Sequence, residues 1–92
     1  MNRITEKDLL AVIKNINIIT NSPETPYRRL KNGKLKANIG NYHLDSAYGG
    51  YCLHRMHSEG GGVTCPINSG YTTKRDLYNQ LQAFIRGIEV KS

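Results

Sequence analysis

KNGKLKANIGNYHLDSAYGG, residues 31–50, decides how the chain is assembled. Asn32-Gly33 lies between extended-favouring residues and signals a hairpin. A type I′ turn needs positive φ at both central positions, and Asn-Gly supplies them at low steric cost. The pattern predicts strands over 27–30 and 35–44, with Gly40 as a bulge or bend. Residues 45–50 read as a second turn and 51–57 as a third strand. On that strand Tyr51, Leu53 and Arg55 share one face, and Cys52, His54 and Met56 the other. Gly60-Gly61-Gly62 turns the chain again. A short last strand over 63–67 is confined to an edge by Pro66, which has no N–H to give a ladder.

Outward from these strands the period changes from two to 3.6. Leu9, Val12, Ile13 and Ile16 fall at helical spacing, with Leu10 and Ile19 widening the stripe. Thr5 and Asp8 form a capping pair at the start, and Glu6 and Asp8 suit the positive end of the helix dipole. Asn15 and Asn17 weaken the last turns, and Asn21-Ser22-Pro23 ends the helix. At the other end Thr73 and Asp76 repeat the capping pattern. Leu77, Leu81, Phe84, Ile85 and Ile88 draw an apolar stripe flanked by Tyr78, and Gly87 is expected to stop or fray it. Two amphipathic helices need one sheet face to bury against. The expectation is a single small α+β domain over 1–92. It has an antiparallel three- to four-stranded sheet, with an N-terminal and a C-terminal helix packed on one face and the other face open.

Ninety-two residues leave room for one modest core. The amino terminus lacks the apolar run and cleavage site of an export signal, and no stretch reaches membrane-spanning length. Two cysteines do not make a secreted disulfide framework. The expectation is a cytoplasmic protein with reduced thiols, and a Cys52–Cys65 bridge across paired strands stays geometrically open. The formal net charge of +6 biases the protein toward nucleic acid, an anionic membrane face or an acidic partner.

That charge is concentrated. From Thr25 to Leu44 there are five Lys or Arg and no Asp or Glu: Arg28, Arg29, Lys31, Lys34 and Lys36. Cations this dense on a hairpin repel one another unless solvent or a partner screens them. They suit a phosphate backbone; the plainer alternative is a solvated edge that Lys protects from aggregation. Tyr27, Asn38, Asn41, Tyr42 and His43 lie close by, and aromatic and amide groups accompany cations in single-strand recognition. Lys74 and Arg75 are a second candidate contact, and with Arg86 they flank the last helix; a solvated face is the plain reading for them.

Other chemistry is weaker. Cys52, His54, His57, His43 and Cys65 include zinc-ligand types, but His57 falls on the opposite strand face and no Cys-x-x-Cys occurs, so no metal or cofactor is expected. The glycines at 60–62 precede Val63-Thr64-Cys65-Pro66 and not a helix, as a phosphate loop requires. Cys52 with His54, or Ser58 with His57, are the nucleophile–base pairs available, and neither has an evident third orienting group. No catalytic residue and no small-molecule substrate is expected.

INIITNSPETPY (16–27), NIGNYHLDSAYGGYCLHRM (38–56), EGGGV (59–63) and SGYTTKRDLYNQLQAFIRGI (69–88) resemble small accessory proteins of bacteriophages and prophages. More narrowly, the chain is similar to phage anti-CRISPR proteins of the group that inhibits type I-F systems. The resemblance implies a non-enzymatic inhibitor in the host cell cytoplasm. Its partner would be the type I-F surveillance complex, Cas proteins and crRNA together, with no membrane involved, and its effect a block on target DNA recognition. Guide and target are polyanions held in basic channels. A basic inhibitor must therefore approach the guide RNA or an acidic protein patch. The alternatives are a general nucleic-acid-binding phage protein or a structural adaptor.

Overall fold

α1 (Glu6–Ile19) starts where the capping residues place it. The Asp8 amide donates to Thr5 Oγ1 over 3.2 Å, and the Thr5 amide donates to Asp8 Oδ2 over 2.9 Å, so both orphan donors are satisfied reciprocally. The helix ends in a Schellman arrangement. Asn21 adopts φ 55, the Ser22 amide donates to the Asn17 carbonyl over 2.8 Å, and the Asn21 amide donates to that of Ile18 over 3.1 Å. The computed structural model describes residues 3–67 and 70–91. After α1 come β1 (Tyr27–Arg29), β2 (Leu35–Ala37), β3 (Tyr42–Ala47), β4 (Gly50–Met56), β5 (Val63–Thr64) and α2 (Lys74–Lys91). This is an α+β fold with one helix at each end of an antiparallel strand set.

The core lies between the helices and the inward face of β3–β4. Leu9, Ile13 and Ile16 of α1 meet Leu77, Leu81 and Ile85 of α2 over Tyr42 and Leu53. Burying a side chain of this size contributes about 1.5–3 kcal/mol before entropy is counted. Leu10 and Ile19 stay exposed, so the working stripe of α1 is narrower than the sequence suggests. α2 runs through Gly87 to Lys91. A mid-helix glycine costs about 1 kcal/mol, and Phe84, Ile85 and Ile88 are all at least half-buried around it.

The strands depart from expectation in three ways. First, the segment 35–44 is not one strand. It breaks at residues 38–41, and the strands form two sheets, β1–β2 and β3–β4–β5. Gly40 makes the bend with φ 97, while its amide donates to the Met56 carbonyl. Second, the turn types are exchanged. Asn32 lacks positive φ; Lys31, Asn32 and Gly33 form a three-residue loop in which Gly33 takes φ 84 and its amide donates to the Leu30 carbonyl. The two-residue I′ turn is instead Tyr48-Gly49, with φ 53 and 74, so β3 runs on to Ala47. Third, the far face of β4 is not open throughout. Cys52 and Met56 are buried there.

β5 is only two residues long, paired to β4 as Arg55↔Thr64 and Met56↔Val63. The chain then leaves the sheet and returns at Thr72, which exchanges two hydrogen bonds with Tyr51, of 2.8 and 2.9 Å. At this return a side chain at Gly50 would crowd the neighbouring backbone. A Cβ there would lie 3.1 Å from the backbone of both Tyr71 and Thr72.

Candidate nucleic-acid interface

The hairpin β1–β2 is built differently from the rest of the molecule. Ala37 is its one buried side chain. Tyr27 stands opposite Ala37, Arg28 opposite Lys36, and Arg29 opposite Leu35. Directly opposed residues share a face, so Arg28 and Lys36 lie on one side of the ribbon and Arg29 on the other, beside Leu35. Lys31 and Lys34 sit at the tip, and both are exposed. The ribbon therefore carries cations on both faces. Tyr27, Leu30 and Leu35 add exposed apolar surface among them. Of these residues, Tyr27, Arg28 and Arg29 are of types enriched at interfaces.

Not every predicted residue is available. Lys36 Nζ lies 3.2 Å from the Glu59 carboxylate, an acid that falls outside the acid-free window but folds back beside it. Asn38 is buried as a brace: its Oδ1 accepts from Arg28 over 2.6 Å, and its Nδ2 donates to the Thr25 carbonyl over 3.0 Å. Tyr42 is a core residue and not a contact residue. Its ring meets Phe84 edge-on at 5.7 Å, and the Arg55 guanidinium covers it at 5.6 Å. Lys74 reaches over the Tyr51 ring at 5.7 Å, and Arg75 is exposed at the start of α2, away from the ribbon in sequence and element. The candidate contact set that remains is Arg28, Arg29, Lys31 and Lys34 with Tyr27, joined by Lys36, whose pairing with Glu59 is a surface contact that a partner can displace.

Three buried asparagines anchor the segment that carries the ribbon, and no buried side-chain nitrogen or oxygen among the described residues lacks a partner. Asn17 Nδ2 donates to the Tyr42 carbonyl over 2.9 Å, while the Tyr42 amide donates to Asn17 Oδ1 over 2.8 Å. Far from merely weakening α1, Asn17 imitates a neighbouring strand at the edge of β3. Asn41 Nδ2 donates to the Pro23 carbonyl over 2.8 Å. Asn38 completes the set. Amides that the sequence offers as ligands for bases are spent on the chain itself.

The outward face of β3–β4 holds a second group. Tyr71 donates to the Asp45 carboxylate, which pushes the tyrosine pKa up to about 12. His54 Nε2 is 3.9 Å from the same carboxylate. Rings follow one another edge-on from His43 to His54 at 5.7 Å, His54 to Tyr71 at 6.3 Å and Tyr71 to Tyr48 at 5.5 Å. Tyr71 lies 26 positions from Asp45, so no local pattern announces it. Burial, and then the charge of His54, hold the His43 pKa below its ordinary value against the opposing pull of Asp45.

Nucleophile chemistry fares poorly. The Cys52 thiol engages Cys65 and the Leu53 carbonyl, and burial pushes its pKa up to about 12, so little thiolate exists at neutral pH. Ser58 Oγ accepts from the Gly62 amide over 2.9 Å and serves the turn. Among the described residues no three His, Cys, Asp or Glu side chains converge as a metal site. A cleft of about 360 Å³ runs between α1 and β3, lined by Leu10, Ile13, Tyr42 and Leu44 with Lys14 and Glu24 at hand. No helix among the described residues is long and apolar enough to cross a membrane.

No known protein family matches the chain, and no curated protein or solved structure matches it either.

Proposed function

We propose that the chain is a phage-encoded, non-enzymatic inhibitor of a type I-F CRISPR-Cas surveillance complex, acting in the host cytoplasm. It binds Cas subunits and the guide RNA and blocks target DNA recognition. The observation that carries this reading is the ribbon with cations on both faces. Such a ribbon suits a channel with anionic groups on either side better than it suits a flat surface. The phosphates of the guide RNA, on which the target must pair, would meet one face of the ribbon, and an acidic patch of a Cas subunit the other. The resemblance of residues 16–27, 38–56, 59–63 and 69–88 to phage anti-CRISPR proteins supports the same reading.

The test uses a purified type I-F surveillance complex and a labelled target duplex. The protein is expected to abolish the target-bound band. Reversing Arg28, Arg29, Lys34 and Lys36 to Glu removes that effect, whereas reversing Lys74 and Arg75 leaves it in place. Inhibition by the ribbon variant equal to that of the native chain overturns the proposal. Tight binding to free RNA with no effect on the complex identifies a general nucleic-acid-binding protein instead.

A further inference from the structure

Cys52 sits at the centre of β4, hydrogen-bond register to Asp45 on β3, with its thiol pointing to the outward face. Cys65 follows directly after β5, where the chain begins its excursion to Thr72. The two sulfurs are 2.9 Å apart, both reduced, and 13 positions separate them. Cys52 is buried and Cys65 half-buried. The pair is thus asymmetric. One residue is partly exposed to solvent, and the other is buried with its sulfur within contact distance of the first.

The geometry points to a dithiol site that exchanges with low-molecular-weight disulfides, Cys65 attacking first and Cys52 resolving. In the first step the Cys65 thiolate attacks one sulfur of the small disulfide. That S–S bond breaks, a mixed disulfide forms on Cys65, and one small thiolate leaves. In the second step Cys52 gives its proton to solvent and attacks the Cys65 sulfur, expelling the second small thiol. The protein loses two protons and two electrons, and the small disulfide is reduced by them to two thiols. The order follows from access. Once Cys65 is held in the mixed disulfide, its hydrogen bond and charge no longer help to raise the Cys52 pKa, and the attack by Cys52 is intramolecular, across a contact of 2.9 Å in the reduced pair. The product ties the excursion after β5 to the middle of β4, beside the Tyr71–Asp45 hydrogen bond.

The experiment incubates the reduced protein with oxidised glutathione, blocks remaining thiols with an alkylating reagent and reads intact mass and peptide maps. The native chain is expected to lose two hydrogens and both alkylation sites, with the mixed disulfide passing without accumulating. Cys52→Ser is expected to stop at a glutathione adduct on Cys65. Cys65→Ser is expected to react at least about tenfold more slowly, because its remaining thiol is buried and protonated. The bridged native chain is expected to unfold at a urea midpoint higher by about 1–2 M than the reduced chain. A mixed disulfide that accumulates on the native chain overturns the resolving role of Cys52. Equal adduct rates for the two serine variants overturn the order of attack. A bridged form with a lower urea midpoint shows that the native sheet does not accommodate the bond, and overturns the site. The native-chain mass and midpoint measurements stand even where a serine variant folds poorly.

Discussion

Arg28 and Lys36 face each other directly across the β1–β2 ribbon. Two like charges in that register cost stability. The cost is offset in part by Asn38, which accepts from Arg28, and by Glu59, which pairs with Lys36 in a largely solvent-exposed contact. A fold that kept this pair for stability alone would be poorly served by it. Lys36→Gln removes the repulsion and the surface ion pair together, and each contributes less than about 1 kcal/mol. The expected result is a urea midpoint nearly unchanged and, under the proposed function, a weaker hold on the surveillance complex. The salt dependence of that hold should lose roughly 0.7 of log–log slope per phosphate contact removed. An unchanged slope would place Lys36 outside the contact.

Asn17 carries a different load. Asn17→Ala leaves the Tyr42 amide and carbonyl without partners at a buried edge. Each orphaned group costs about 1–3 kcal/mol, so a loss of about 3 kcal/mol is expected in urea unfolding. Asn15→Ala, on the exposed side of the same helix, is expected to stay within about 0.5 kcal/mol of the native chain. Similar losses for both would mean that helix propensity, and not the Tyr42 bridge, sets the value.

Tyr48 occupies a position that disfavours it. It takes φ 53 in a two-residue turn, and its side chain is 95% exposed. Asn at this place matches the I′ turn, so Tyr48→Asn is expected to raise stability by about 0.5–1 kcal/mol, even after the ring contact with Tyr71 is lost. Thermal unfolding followed by circular dichroism measures it. A fall in stability of that size would show that the Tyr48–Tyr71 contact outweighs the backbone strain.

His43 gives the fold a pH dependence. The groups facing it are Asn41 Oδ1 at 3.2 Å, His54 and Asp45. Its pKa in the folded state is lowered from 6.5, chiefly by burial. The unfolded chain therefore takes up this proton at a higher pH than the folded chain does. Stability from this group is complete above about 6.5 and is lost as pH falls below that value. His43→Gln is expected to flatten the stability profile between about pH 7 and pH 5 relative to the native chain. Parallel profiles for the two would assign the dependence to other groups.

Much of the architecture could be read from residue order. The Thr5–Asp8 and Thr73–Asp76 pairs mark the helix starts, and the apolar spacing of Leu77, Leu81 and Ile85 names the buried face of α2. Both rest on contacts within four residues of one another, which periodicity records. The break between β2 and β3 was harder to see, because it depends on where Asn38 and Asn41 find partners, at Thr25 and Pro23. Turn chemistry misled in one direction only: Asn-Gly is favourable in a I′ turn but does not compel one, and the flanking register chose a three-residue loop. On the site, the cation run was legible, since charge is a property of composition. The loss of Tyr42 to the core was not, because its burial comes from Phe84 on a helix 42 positions away.

The Asn17–Tyr42 bridge gives the ribbon the standing of an insert on a closed base. The helix end and the start of β3 are clasped to each other, so the chain between them leaves the body and returns to nearly the same point. Lengthening such a segment costs little, since loop-closure entropy grows only with the logarithm of length, about 0.6 kcal/mol per doubling. The ribbon can therefore be shortened, extended or replaced by another chain's recognition hairpin while β3, β4 and both helices keep their packing. The clasp thus separates a segment whose length and sequence can change from the part that must stay folded.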